Sequence, residues 1–162
     1  MIIETDRLYI RPMTMEDASD LFKVLSNEKV MAFIEPPFTL NETEAFIKKY
    51  GMCDCPMVYS AQLKDGEVIG HIIYHTYDSL DCYELGWIIG EDYWHKGFAN
   101  EITSALIEYS KGNNLTSLIL ECDKGQSVSK HIALLHGFKH CGFNDNLEIY
   151  KLNLKDYNNG IK

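Results

Sequence analysis

The sequence lacks long apolar runs and an excess of positive charge. No stretch of its 162 residues approaches the roughly 20 apolar residues of a membrane-spanning helix, so we expect no membrane association. Lysines and arginines number 15 against 24 aspartates and glutamates, a formal net charge of −9. This balance argues against nucleic-acid binding, which needs a basic surface, and weakly favours a cationic partner.

The sequence also lacks a paired cysteine framework. Its five cysteines stand at positions 53, 55, 82, 122 and 141, an odd number typical of reduced thiols. Cys53 and Cys55 have no second pair at zinc spacing, so we expect no metal site. Glu4 and Asp6 stand where a secretory signal would need basic and then apolar residues. The expected location is therefore the cytoplasm.

Hydrophobic periodicity predicts an α/β protein, with one domain over residues 1–162 and a polar tail over 155–162. Threonines at 14 and 39 resemble helix caps, and the turn Lys64–Gly66 indicates a hairpin. The predicted strands cover 7–13, 57–63, 67–77, 82–89, 115–122 and 147–154, and the predicted helices cover about 14–27, 39–50, 98–111 and 127–136.

A glycine stands directly before the helix predicted over 98–111. The N-terminus of a helix presents free N–H groups and the positive end of the macrodipole, which favour an anion. Gly97 at this point therefore indicates a phosphorylated ligand. A tight entry turn without a ligand is the alternative explanation.

Three segments resemble the GNAT superfamily of acyl-CoA-dependent N-acetyltransferases. Residues 5–27 are similar to the opening of its ribosomal-protein N-terminal (Rim-type) branch, and 83–101 (YELGWIIGEDYWHKGFANE) to that branch's central signature. Residues 127–143 resemble, more weakly, the later helix that ends in a Gly-Phe turn. The resemblance implies a single GNAT-like domain, whose mixed, mostly antiparallel sheet has a splayed central parallel strand pair flanked by helices.

The resemblance also implies where acetyl-CoA, the co-substrate, would bind. Backbone N–H groups of one loop would wrap its pyrophosphate, and the strand that splays at Gly86 would pair with the pantetheine arm. An N–H near Ile88 would stabilise the thioester oxyanion. The loop residues are His95, Lys96, Gly97, Phe98, Ala99 and Asn100, and the strand residues are Trp87, Ile88 and Ile89.

Two residues are candidates for proton transfer. Glu84, two residues before Gly86, is the candidate general base, with an exposed strand carboxylate as the alternative. Many family members donate a proton from a tyrosine where this chain has Ala133; the resembled branch often uses the serine of an Asn-x-x-Ser pattern instead. Here that pattern reads Gln126 and Ser129. Ser129 is the candidate proton donor or a plain helix-surface serine, and Gln126 is the candidate pantetheine contact.

The sequence thus predicts an N-acetyltransferase that moves the acetyl group of acetyl-CoA directly to a primary amine in a ternary complex. The acceptor would be a protein N-terminus or a small, cationic amine, with residues 28–56 forming much of its binding wall by family analogy. The alternatives are a GNAT-like module that binds acyl-CoA without turnover and a structural interaction domain. Homodimers are common among relatives, but the sequence does not reveal the oligomeric state.

Overall fold

The computed structural model describes residues 1–157, so positions 158–162 of the predicted polar tail lie outside the described residues. The strands are β1 (Ile3–Glu4), β2 (Leu8–Arg11), β3 (Val58–Leu63), β4 (Val68–Thr76), β5 (Cys82–Ile89), β6 (Ser117–Asp123), β7 (Lys139–Asn144) and β8 (Leu147–Asn153). The helices are α1 (Ala18–Leu25), α2 (Glu28–Met31), α3 (Leu40–Phe46), α4 (Phe98–Gly112) and α5 (Ser127–Leu135). No helix in residues 1–157 has the length and hydropathy to cross a membrane.

The described chain divides into two compact units. The first comprises Met1–Tyr74 and Trp87–Phe98, and the second comprises His75–Gly86 and the chain from Ala99 onward. The division falls within β4, within β5 and after the first residue of α4. The expectation of a single domain over 1–162 stays a prediction.

The first unit contains an antiparallel meander of β1, β2, β3 and the greater part of β4. The hairpin predicted from the Lys64–Gly66 turn is confirmed, because β3 and β4 pair on either side of it. Helix α3 begins at the predicted capping box, where the Thr39 N–H donates to Glu42 at 2.7 Å. The helices pack an apolar cluster against the sheet: Met13, Ala18, Leu21, Leu25, Met31, Ile47 and Val58.

The second unit contains a parallel strand pairing. Cys82–Glu84 of β5 pairs with Ser117–Ile119 of β6, and this pairing ends two residues before Gly86. Strand β6 continues to Asp123 and pairs antiparallel with β8, which in turn pairs with β7. The fold class, α/β with a mostly antiparallel sheet and one short parallel pair, is confirmed.

Three elements were not predicted. Strand β1 has two residues and α2 has four, too few for any periodicity to appear. Strand β7 is largely exposed on both faces and has an irregular register near Gly142, so its sequence lacks the alternation of a half-buried strand.

Gly70 permits the close approach of β4 and β5. A Cβ built at this position would lie 2.0 Å from the carbonyl oxygen of Ile88, a contact that requires the backbone to move. We expect Gly70→Ala to lower the free energy of unfolding by about 3 kcal/mol or more, measured by urea denaturation followed by circular dichroism.

The matched control for this prediction is Gly112→Ala. Gly112 ends α4, and nothing lies within 4 Å of a Cβ built there. The free energy of unfolding of this variant should stay the same or rise by up to about 1 kcal/mol. Equal stability of both variants would contradict the proposed steric role of Gly70.

Candidate active site

The loop before α4 has two residues in the left-handed region. His95 has φ +60° and Gly97 has φ +81°, with Lys96 between them, and all three are exposed. Left-handed residues within a short turn direct neighbouring N–H groups into one concavity, which suits an anion. The first N–H groups of α4 follow directly and have no acceptor within the helix. The loop therefore has the backbone shape expected of a phosphate-binding site.

Side chains of the first unit hold this loop in place. The Arg7 guanidinium donates through Nη1 to the Lys96 carbonyl at 2.8 Å and lies 4.2 Å from the centre of the Phe98 ring. The Trp94 indole donates to the Ile89 carbonyl at 2.8 Å, which ties the loop to the end of β5. Arg7 was not predicted, since 89 residues separate it from Lys96 and no local motif connects them.

The end of β5 directs its backbone groups to two edges. The Ile88 carbonyl points to Gly70 of β4, as the steric contact above requires. Successive strand residues direct their backbone polar groups to opposite edges, so Trp87 and Ile89 direct theirs away from β4. The backbone of Trp87 and the N–H of Ile89 are therefore better oriented than the Ile88 backbone to pair with an added ligand, while the Ile89 carbonyl accepts from Trp94. The predicted oxyanion role of the Ile88 N–H stays a prediction.

Glu84 lies in a polar cluster of the second unit. Its carboxylate oxygen Oε2 lies 3.3 Å from His75 Nε2, and its side chain is 20% exposed. Burial raises the pKa of Glu84, the charge of Glu121 raises it further, and His75 opposes the shift. Glu121 accepts hydrogen bonds from the Tyr77 hydroxyl at 2.5 Å and from Asn144 at 3.4 Å. Glu84 is thus a partly buried carboxylate among ionisable groups, as a general base requires.

The α5 candidates also lie in the second unit. Gln126 precedes α5, and its amide oxygen accepts a hydrogen bond from the Asp123 N–H at 2.7 Å. This hydrogen bond fixes the oxygen end of the side chain and leaves its NH₂ group to donate to a ligand. Ser129 is half-buried in the first turn of α5. Ala133 is fully buried and has no hydroxyl to donate.

The Asn100 side chain contacts α5. Its Oδ1 lies 2.7 Å from Nε2 of His136, which is only 1% exposed. Burial lowers the pKa of His136, so the ring is neutral at pH 7 and donates from Nε2 to the Asn100 oxygen. A ligand at Asn100 would therefore meet the backbone N–H, while the side chain joins two helices.

The predicted residues divide between the units as follows. The first unit contains Trp87, Ile88, Ile89, His95, Lys96, Gly97 and Phe98, and the second contains Glu84, Ala99, Asn100, Gln126 and Ser129. His75, Tyr77 and Glu121 around Glu84 were missed, because they lie on β4, just after β4 and on β6, and only the strand order makes them neighbours. Side chains alternate between the two faces of a strand, so the predicted strand over 67–77 indicates the face on which His75 lies. Once β4 and β5 are known to be neighbours, this signal would have suggested His75 as a partner of Glu84.

Comparisons with family models and with curated proteins point to the same family. The family described as acetyltransferase (GNAT) domain matches residues 7–139. The uncharacterized N-acetyltransferase YnaD of Bacillus subtilis is 34% identical over 111 residues, which cover 67% of this chain and 65% of that protein. The chain spans just under two thirds of the length of the curated relatives it matches.

Solved structures show the same fold. An acetyltransferase (GNAT family) from Bacillus anthracis has a TM-score of 0.88 at 25% identity, covering 96% of this chain and all of the other. Spermidine N-acetyltransferase from Vibrio cholerae, in complex with CoA and spermine, has a TM-score of 0.77 at 18% identity. That alignment covers 93% of this chain and 97% of the other, and at this identity it shows the fold alone.

Proposed function

The chain belongs to the acetyltransferase (GNAT) family, and from this premise we propose that it transfers the acetyl group of acetyl-CoA directly to a primary amine in a ternary complex. The observation that carries the proposal is the pair of left-handed residues, His95 and Gly97, directly before α4. A backbone of this shape suits a diphosphate, and Gly97 has no Cβ to obstruct it. In this proposal the N–H groups of residues 95–100 bind the pyrophosphate of CoA, and Lys96 or His95 adds positive charge.

Strand β5 would contribute to pantetheine binding. Trp87 and Ile89 direct their backbone groups away from β4, which supports pairing with an extended ligand in the manner of an added strand. The NH₂ group of Gln126 is a second proposed pantetheine donor. These contacts would position the thioester, and the amine would attack its carbonyl carbon.

Glu84 is the proposed general base, acting directly or through a water. Its partial burial and the charge of Glu121, which raise its pKa, support this role because a base works best when its pKa lies nearer the working pH. Ser129 is the proposed proton donor to the leaving CoA thiolate. A thiol of pKa about 8.5 leaves as thiolate at pH 7 at a cost of only about 2 kcal/mol, so this donor would be useful without being essential.

The acceptor is proposed to be a small cationic amine or a protein N-terminus. The net charge of −9 supports a cationic acceptor. The relative from Vibrio cholerae is a spermidine acetyltransferase, and the motif in residues 83–101 resembles the Rim-type branch, whose members acetylate ribosomal-protein N-termini. All five cysteines are free thiols, which supports work in the reducing cytoplasm.

A second candidate function is acyl-CoA binding without turnover. It is favoured by two features of the α5 region, the buried Ala133 where many relatives have tyrosine and the engaged amide oxygen of Gln126. The retained carboxylate of Glu84 favours the enzyme.

One experiment separates these functions. The protein is incubated with acetyl-CoA and a panel of polyamines, small alkylamines and peptides with free N-termini, and release of free thiol is followed. We expect thiol release that depends on at least one amine, with the acetylated amine confirmed by mass spectrometry. Thermal stabilisation by CoA without thiol release across the panel would indicate the binding module. Absence of both stabilisation and thiol release would contradict the enzyme and the binding module alike.

A further inference from the structure

His75 is oriented toward Glu84 by its own backbone. Its Nδ1 lies 2.9 Å from the carbonyl oxygen of Thr76, and its Nε2 lies 3.3 Å from Glu84 Oε2. A carbonyl oxygen can only accept, so Nδ1 must carry a hydrogen. In the neutral ring Nε2 then has no hydrogen, and its lone pair points at the carboxylate.

This arrangement defines a pair that holds one proton. With no proton between them, Nε2 and Oε2 are two acceptors facing each other, and the pair carries one negative charge. One added proton satisfies both atoms, whether it resides on the imidazole or on the carboxyl, and makes the pair neutral. The two side chains therefore share a single proton position between Nε2 and Oε2.

We propose that His75 relays to solvent the proton that Glu84 removes from the acceptor amine, a role that rests on the proposed function. The ammonium form of the acceptor gives one proton to Glu84, which passes it to Nε2 of His75. The neutral amine then attacks the thioester, so that the N–C bond forms and the C–S bond breaks. Ser129 gives its proton to the thiolate and takes the second proton from the tetrahedral nitrogen, giving amide, free CoA thiol and one proton released to water. His75 acts through Glu84 and is a positioning residue.

The surroundings of the pair fit a relay that ends in solvent. The His75 side chain is 21% exposed, which gives its ring access to water. The other charged or titratable groups that act on the cluster are Tyr77, Asp78 and Glu121. Tyr77 donates to Glu121, and the pKa of its hydroxyl is raised, so it stays protonated at neutral pH and does not compete for the relayed proton.

The test is the pH dependence of kcat/KM in His75→Gln, with an alkylamine acceptor. In the wild type the acidic limb should report loss of the last proton of the pair, which an imidazole holds more tightly than a carboxyl. In the variant Glu84 acts alone, so we expect the limb to move to lower pH by about one unit and the plateau to fall about tenfold. His131→Gln, which removes an exposed histidine from α5, is the matched control and should change neither.

The direction in which the acidic limb of kcat/KM moves decides between a relay, a purely electrostatic role and a structural role of His75. If His75 only supplied positive charge that lowers the pKa of Glu84, its loss would move the limb to higher pH. If it were merely structural, the plateau would fall without movement of the limb. Either result would overturn the relay. A wild type that releases no thiol with any amine would instead overturn the proposed function.

A second measurement does not depend on turnover. The side-chain carboxyl carbon of Glu84 can be titrated by NMR in the wild type and in His75→Gln. Because His75 lowers the pKa of Glu84, this titration should move to higher pH in the variant and coincide there with the kinetic limb. An unmoved carboxyl titration would overturn the coupling on which the relay depends.

Discussion

Gly97→Val is expected to weaken CoA binding about 100-fold, measured by isothermal titration calorimetry. Gly97 has φ +81°, a conformation that costs an L-residue about 1–2 kcal/mol and a β-branched residue more. The variant must therefore change the loop backbone, which turns its N–H groups away from the pyrophosphate. A loss of about 2.7 kcal/mol of binding free energy corresponds to this factor.

Gly66→Val is the matched control. Gly66 has φ +107°, lies in the β3–β4 turn of the same unit, and has open space where a Cβ would stand. Both variants should lose similar stability, but only Gly97→Val should lose CoA affinity. A CoA dissociation constant for Gly97→Val within twofold of the wild type would remove the loop from the proposed site.

Glu84→Gln is expected to lower kcat/KM at pH 7 by 100-fold or more for a lysine-like amine, on the order of a general base's contribution. Such an amine, with a pKa near 10.4, must lose a proton at a cost of about 4.6 kcal/mol at pH 7. An α-amine, with a pKa near 7.7–8.0, needs only about 1.4 kcal/mol and should lose about tenfold. Thiol release with both acceptors, at matched CoA saturation, measures the difference.

Glu108→Gln serves as the control for charge alone, because Glu108 is exposed on α4 and pairs only loosely with Lys111 at 3.5 Å. It should leave kcat/KM for both acceptors unchanged. An equal loss on the two acceptors in Glu84→Gln would show that Glu84 positions the amine and does not remove its proton.

Local patterns were sufficient to predict the elements that carry the loop. Strand β5 has its predicted bounds, and α4 ends one residue beyond the predicted 98–111. The apolar run of β5 and the helical spacing of apolar residues in α4 are local features, and Gly97 with φ +81° marks the turn before the helix. Strand β7 was missed because pairing with β8, not burial of an apolar face, keeps it extended.

The partners of the site residues could not be predicted in the same way. The left-handed conformation of Gly97 agrees with a turn that a short stretch of sequence indicates, a glycine directly before a helix, and its role in ligand binding stays a prediction. Arg7 beneath the loop and Glu121 beside Glu84 act across 89 and 37 positions of the chain respectively, so their roles depend on which strands become neighbours. The Gly70–Ile88 contact could not be predicted for the same reason, because it depends on which two strands lie side by side.

The hydrogen bond from Arg7 to the Lys96 carbonyl has a consequence for biosynthesis. Contacts between distant parts of a chain form late in folding, because a large loop must close before they contribute. A nascent chain would therefore complete its early helices well before the loop at His95–Gly97 becomes rigid. If the loop binds CoA as proposed, the coenzyme would favour the finished protein over partly folded forms, and refolding yields should rise when CoA is added to the buffer.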